Sequence, residues 1–238
     1  PPSALDLAGG PWARPKAARL ARSHGRAALR ALNDADRPRW RPPAAIGGPG
    51  LVLWPVAASS AGGPPSAVNW RHHVPDKRLR LKARPIGDAD GDKVRALADK
   101  MLATMYAAPG IGLAAPQIGE GLRLVVLDIQ PKEKPEPMVL VNPEIIAESA
   151  ELAMREEGCL SLPGQYADVT RPARVKVRYL DLTGAKREIE GDGLLSACLQ
   201  HEIDHLNGKL FIDYLGPLKR QMITRKMEKM KREMARGV

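Results

Sequence analysis

Apolar residues recur at helical spacing over residues 92–106, D-K-V-R-A-L-A-D-K-M-L-A-T-M-Y, where Val94, Leu97, Met101, Leu102 and Met105 share one face. Pro109 and Gly110 are expected to end this helix, because proline cannot continue it. The period then shortens. Runs at 122–129, 138–146, 150–156, 174–181 and 186–190 predict β-strands, and Asn142-Pro143, Pro163-Gly164 and Thr183-Gly184 read as turns. A second helix is predicted from about Leu194 to Leu206, with Asp192 or Ser196 as N-cap and Gly208 as the stop signal. A last helix covers about 217–235. Helix, several antiparallel strands, helix, helix is the order of an α+β fold, not of alternating βαβ units.

Composition divides the chain in two. Residues 1–70 contain no Glu, Met, Phe, Tyr or Cys, yet hold 11 of the 22 prolines and all four tryptophans, Trp12, Trp40, Trp54 and Trp70. Nine basic residues face three aspartates there. With little periodicity, residues 1–73 are expected to be a disordered or loosely attached extension, and residues 74–238 the folded domain. An Arg-rich, acid-poor leader also fits an organelle transit peptide. Translation from upstream of the true start is a third reading, since the chain opens without Met and its first Met is Met101. L-V-L-W-P-V-A-A at 51–58 resembles a signal-peptide core only loosely, because it starts far from the terminus and contains Pro55.

The two cysteines, Cys159 and Cys198, are too few for a disulfide scaffold in a domain of this size. Reduced thiols in a cytoplasmic or organelle-matrix setting are therefore expected. No apolar run approaches the ~18–20 residues that span a bilayer, so no membrane partner is expected.

The sharpest local signal is H-E-I-D-H at 201–205. On a helix, positions i and i+4 lie about 6 Å apart on one face, so His201 and His205 can converge on one metal ion. Glu202 stands beside them, where a carboxylate can move protons to and from a water. A chance match on a charged helix is the plain alternative. His24, His72 and His73 have no comparable context.

Two histidines need a third ligand. Cys198 shares the helical face of His201 but lies about 10 Å of helix from His205, and helical side chains lean toward the N-terminus. It reads as a lining residue. Cys159, in E-E-G-C-L-S-L-P-G, lies on another segment, with Gly158 before it and Pro163 after it suggesting a strand that ends in a tight loop. A downstream His or Glu, as in metalloproteases, is the third option. H-E-I-D-H-L-N-G follows the metzincin pattern, but Phe211 stands where the third histidine should be, and Glu228 lies on a strongly basic helix.

A third segment, G-I-G-L-A-A-P-Q at 110–117, matches no nucleotide fingerprint. Gly110 and Gly112 would let a ligand approach the backbone, and Gln117 offers an amide donor. Taken together, G-I-G-L-A-A-P-Q, E-G-C-L-S (157–161) and H-E-I-D-H resemble the three signature motifs of the peptide deformylases, in the same order. The resemblance runs over roughly residues 74–236 and includes V-P-D-K-R-L-R at 74–80 and L-N-G-K-L-F at 206–211. Residues 1–70 depart from the family.

The resemblance implies antiparallel β-sheets packed around a central metal-binding helix, with an N-terminal helix and a basic C-terminal helix. It implies a hydrolase that removes the formyl group from the N-terminal formyl-methionine of nascent polypeptides and releases formate. Cys159, His201 and His205 would bind the metal, with water in the fourth position, and Glu202 would serve as general base and then acid. Gln117 and the Leu160 N–H would hold the oxyanion. Gly112 would bond the substrate backbone, near Gly110, while Ile111, Leu194 and Cys198 would line the methionine pocket. Fe(2+) is the expected metal, although Zn(2+), Ni(2+) or Co(2+) also suits such ligands.

Residues 216–238 hold eight Lys or Arg against two Glu. Such a helix is a solvated face, or a contact for RNA or a membrane surface. The resemblance implies docking of residues 217–236 on the ribosome, and predicts that a chain lacking 217–238 still deformylates free peptides. The competing readings are a zincin-type protease and a non-catalytic RNA-binding module with a structural metal.

Overall fold

The computed structural model describes residues 72–87, 90–131 and 134–236. The expectations for residues 1–71 lie outside that range.

Helix α1 (Gly91–Ala107) presents Val94, Ala98, Met101, Leu102 and Met105 to the interior. It packs against β1 (Gly112–Ala114) and β2 (Leu124–Leu127). Strand β2, L-V-V-L, has no exposed residue because it is covered twice: Leu124 and Val126 join the α1 core, whereas Val125 and Leu127 meet α2 (Gly193–Leu206). A strand buried on both faces reads as a continuous apolar run.

Five antiparallel strands form the main sheet in the order β1-β2-β3-β6-β7, with β3 at Met138–Glu148, β6 at Arg174–Leu180 and β7 at Lys186–Asp192. Strands β4 (Leu152–Cys159) and β5 (Leu162–Pro172) form a separate hairpin. Helix α2 lies between the two. Cys198, Leu199, Ile203 and Leu206 pack on the main sheet, while His201 stacks on Phe211 in the cluster beneath the hairpin. Helix α3 (Pro217–Ala235) closes that cluster with Ile223 and Met227. The expected α+β arrangement of antiparallel sheets around a central helix is the one observed.

Several local expectations need correction. Asn142-Pro143 is not a turn between strands but a bulge within β3, where the register against β6 shifts. Asn142 adopts φ +52° and clamps Ile86, accepting from its N–H and donating to its carbonyl, both at 2.8 Å. Proline has no N–H for the ladder, so a bulge is where a strand tolerates it. Pro163-Gly164 lies inside β5, at the irregular end of its pairing with β4. Strands β1 and β5 had no counterpart in the pattern. Neither proposed cap bonds the start of α2: the Asp192 side chain makes no capping bond, and Ser196 lies inside the helix with its Oγ on the Pro172 carbonyl. Gly208 does take the left-handed conformation after α2, at φ +72°.

Candidate metal centre

Strand β4 delivers one group and helix α2 the other two. Only Leu160 and Ser161 separate β4 from β5, so Cys159 stands at the tip of the hairpin, where a strand ending in a tight loop was expected. The turn points it at α2. Cys159 Sγ lies 3.1 Å from His205 Nε2, and the His201 and His205 rings meet edge to face with centroids 5.0 Å apart. Donor atoms of Cys159, His201 and His205 all lie within 4.8 Å of one another, and all three residues are buried. Cys198 is not part of this group. Its thiol contacts the Ile111 carbonyl at 3.7 Å, and burial pushes its pKa up. Phe211, in the place of a zincin's third histidine, is fully buried, and Glu228 is exposed on α3.

One soft thiolate and two imidazoles in a buried cluster suit a divalent transition metal. Beside them, the buried Glu202 Oε2 has no hydrogen-bond partner among the described residues, which also fits a site for a polar group. The same burial pushes the Glu202 carboxyl up to about 7, with the nearby Glu157 carboxylate adding to the rise and His201 and Arg171 opposing it.

The G-I-G-L-A-A-P-Q segment forms the opposite wall. Gly112 leaves the space that Glu202 and Cys198 fill, for a Cβ there would lie 2.5 Å from Glu202 Oε1 and 2.8 Å from Cys198 Sγ. Gln117 is buried in a 3-10 turn, and its Oε1 accepts the Ala114 N–H at 2.8 Å. That bond fixes which end of the amide faces the cluster: Nε2 points to Cys159 Sγ at 3.7 Å and Ser161 Oγ at 3.4 Å. Gly110 is committed elsewhere, since its N–H closes α1 on the Met105 carbonyl at 2.8 Å. A small cavity beside the cluster is lined by Ile111, Glu157, Gly158, Ala197, Cys198, His201 and Glu202. Leu194 is half-buried in the first turn of α2 and is not among the lining residues. Leu160 borders a second, larger cavity together with Cys159, Pro163, Tyr166 and Met234.

Three further residues that the sequence reading did not single out stand at or behind the cluster. Glu157 Oε2 lies 2.9 Å from His201 Nδ1, and Arg171 holds both oxygens of Glu157. Ala197, one helical turn before His201, lines the small cavity. Glu157 lies within a motif and could have been weighed; Arg171 and Ala197 have only their spatial position to mark them.

The model of the polypeptide deformylase family matches residues 70–221. A peptide deformylase of Methylocella silvestris is 58% identical over 160 residues, which cover 66% of this chain and 81% of that protein. One from Rhodopseudomonas palustris strain BisA53 is 55% identical over 159 residues, covering 66% of this chain and 88% of the relative. Among solved structures, a peptide deformylase from Legionella pneumophila shares 52% identity at a TM-score of 0.64, covering 69% of this chain and 96% of that one. Another, from Ehrlichia chaffeensis in complex with actinonin, shares 41% identity at a TM-score of 0.65, covering 68% and 96%. The chain belongs to the polypeptide deformylase family and is an enzyme of metal-dependent hydrolysis that acts on nascent polypeptides.

Proposed function

We propose that the enzyme removes the formyl group from N-terminal formyl-methionine, with Cys159, His201 and His205 as metal ligands and Glu202 as the proton carrier. The observation that carries this reading is the convergence of those three donor groups beside a buried carboxylate with a free oxygen. When bound, the metal supplies Lewis acidity to the formyl carbonyl and lowers the pKa of its water from ~15.7 toward neutrality.

The protein groups divide the remaining work. Glu202, a buried carboxylate beside the metal ligands, takes a proton from the attacking water and passes it to the leaving amine nitrogen. Gln117 Nε2 and the Leu160 N–H donate to the formyl oxygen as charge develops on it, and each such donor typically contributes on the order of 3 kcal/mol. The backbone of Gly112 bonds the substrate chain. The methionine side chain is directed to the cavity bounded by Ile111, Ala197 and Cys198, and Leu194 does not line it. Fe(2+) is the metal proposed, and metal analysis of protein prepared without oxygen tests that choice.

The eight basic residues from 216 onward all lie exposed on or just after α3, which supports a ribosome contact through that face. Replacing Lys219, Arg225 and Lys226 by Gln should weaken co-sedimentation with ribosomes without changing turnover of free peptides; undiminished binding would remove the docking role. No helix among the described residues is long and apolar enough to cross a membrane. The cytoplasm is the proposed site of action, or an organelle matrix if residues 1–70 act as a transit peptide.

The deciding measurement is formate release from a formyl-Met peptide by iron(II)-loaded protein, beside Glu202→Ala. No formate from the loaded protein defeats the proposal, and a fully active Glu202→Ala defeats the assignment of the base.

A further inference from the structure

Arg171 occupies an inward position of β5 and is only 5% exposed. Burying a guanidinium costs several kcal/mol unless its donors are satisfied, and here they are satisfied by two elements at once. Nε and Nη2 grip Glu157 at 2.5 and 3.0 Å, while Nη1 donates to Asp204 Oδ2 at 2.8 Å. Glu157 stands on β4, two residues before Cys159, and Asp204 stands on α2 between His201 and His205. Tyr214 completes the arrangement: its hydroxyl donates to Asp204 at 2.8 Å, and its ring lies 4.5 Å from the guanidinium carbon.

Two consequences follow from this one side chain. It ties the strand that carries Cys159 to the helix that carries both histidines. It also fixes both oxygens of Glu157, whose Oε2 lies in hydrogen-bond distance of His201 Nδ1 at 2.9 Å. A carboxylate on one ring nitrogen sets the tautomer and orients the lone pair of the other nitrogen for ligation. His205 has no such support, because its Nδ1 finds no protein partner among the described residues.

We propose that Arg171 is a positioning residue of the metal centre, which orients His201 through Glu157 and fixes the hairpin that bears Cys159 against α2. This rests on the reading of Cys159, His201 and His205 as the ligands. Residues of this kind typically change metal affinity by about 10- to 100-fold when altered.

Cobalt(II)-loaded full-length protein provides a readout independent of turnover. Its thiolate-to-cobalt absorption reports the Cys159 bond, and transfer of cobalt to excess chelator reports retention. Arg171→Met should release cobalt about 10- to 100-fold faster than the parent and alter the visible spectrum. Arg171→Lys keeps the buried charge, so it folds even where the Met variant fails; it loses the planar fork and should fall between the two. The surface variant Arg174→Met should behave as the parent. If both Arg171 variants release cobalt at the parental rate with an unchanged spectrum, whatever their melting temperatures, the positioning role is overturned. Cys159→Ala separates the two readings: if it keeps the thiolate absorption, the ligand assignment fails instead.

Discussion

Gly112 and Glu202 occupy one space between them, since a Cβ on the glycine would stand 2.5 Å from the carboxylate oxygen. The glycine is therefore required by a side chain 90 residues later in the sequence, not by its own backbone angles. Forcing a methyl group into such a contact costs about 1–3 kcal/mol of strain. Gly112→Ala is expected to lower kcat/KM by roughly one to two orders of magnitude, because the strain falls on the group that moves the proton. The paired change Gly112→Ala with Cys198→Ala relieves the 2.8 Å contact but not the closer one, so it should recover little. Steady-state kinetics on a formyl-Met peptide would show this, and an unimpaired Gly112→Ala would refute it.

A carboxyl raised to about 7 in the fold and near 4.3 when unfolded binds more protons in the folded state between those values. Its contribution is complete below about pH 4 and is lost as pH rises toward 7, so above neutrality the ionised Glu202 opposes folding of the metal-free protein. Glu202→Gln removes that penalty. Metal-free Glu202→Gln should exceed the metal-free parent in stability by on the order of 1–3 kcal/mol at pH 8 and by much less at pH 5. Denaturant titrations at the two pH values measure the difference. Equal gaps at both would show that Glu202 ionises without cost.

The elements legible in the sequence are those whose burial follows a single period. Helix α1 is one, with Val94, Met101, Leu102 and Met105 all facing inward as their spacing predicts. Strand β2 is another, because a strand covered on both faces leaves an unbroken apolar run. Strand β5 escaped for a definite reason. Its inward positions from residue 167 are Ala167, Val169 and Arg171, and an arginine in the third position breaks the apolar alternation. Only its pairing with β4 and the acceptors Glu157 and Asp204 make that strand viable, and neither is visible locally. The same residue explains why the site was only partly legible. Motifs named the groups that converge, whereas the cation that braces them is identified by three-dimensional position alone.

Gln117 shows how the backbone can decide the role of a side chain. With Oε1 held by the Ala114 N–H, only the amide nitrogen is turned toward Cys159. Gln117→Glu preserves the acceptor but replaces the donor with a second oxygen carrying negative charge. It should lower kcat by about 10²- to 10³-fold, the usual effect of losing one oxyanion donor. Circular dichroism and cobalt content should stay close to the parent. A variant that keeps its kcat would remove Gln117 from the oxyanion role.

Helix α3 was expected to be removable, yet it is part of the core. Met227 is fully buried and Ile223 nearly so, in the cluster that also holds Cys159, Leu162 and Phe211. Deleting residues 217–238 would uncover that cluster directly behind the hairpin tip, so lost activity in a truncated chain would say nothing about docking. The buried stripe and the basic face must be tested apart. Met227→Ala should destabilise the protein by about 2–5 kcal/mol, the range for such a truncation in a packed core. It should also speed loss of metal, because Cys159 belongs to the same cluster. Gln substitutions at the exposed Lys219 and Lys226 should change stability by less than about 0.5 kcal/mol. Thermal melts of the three proteins decide the matter: if Met227→Ala melts with the parent, α3 is an appendage after all.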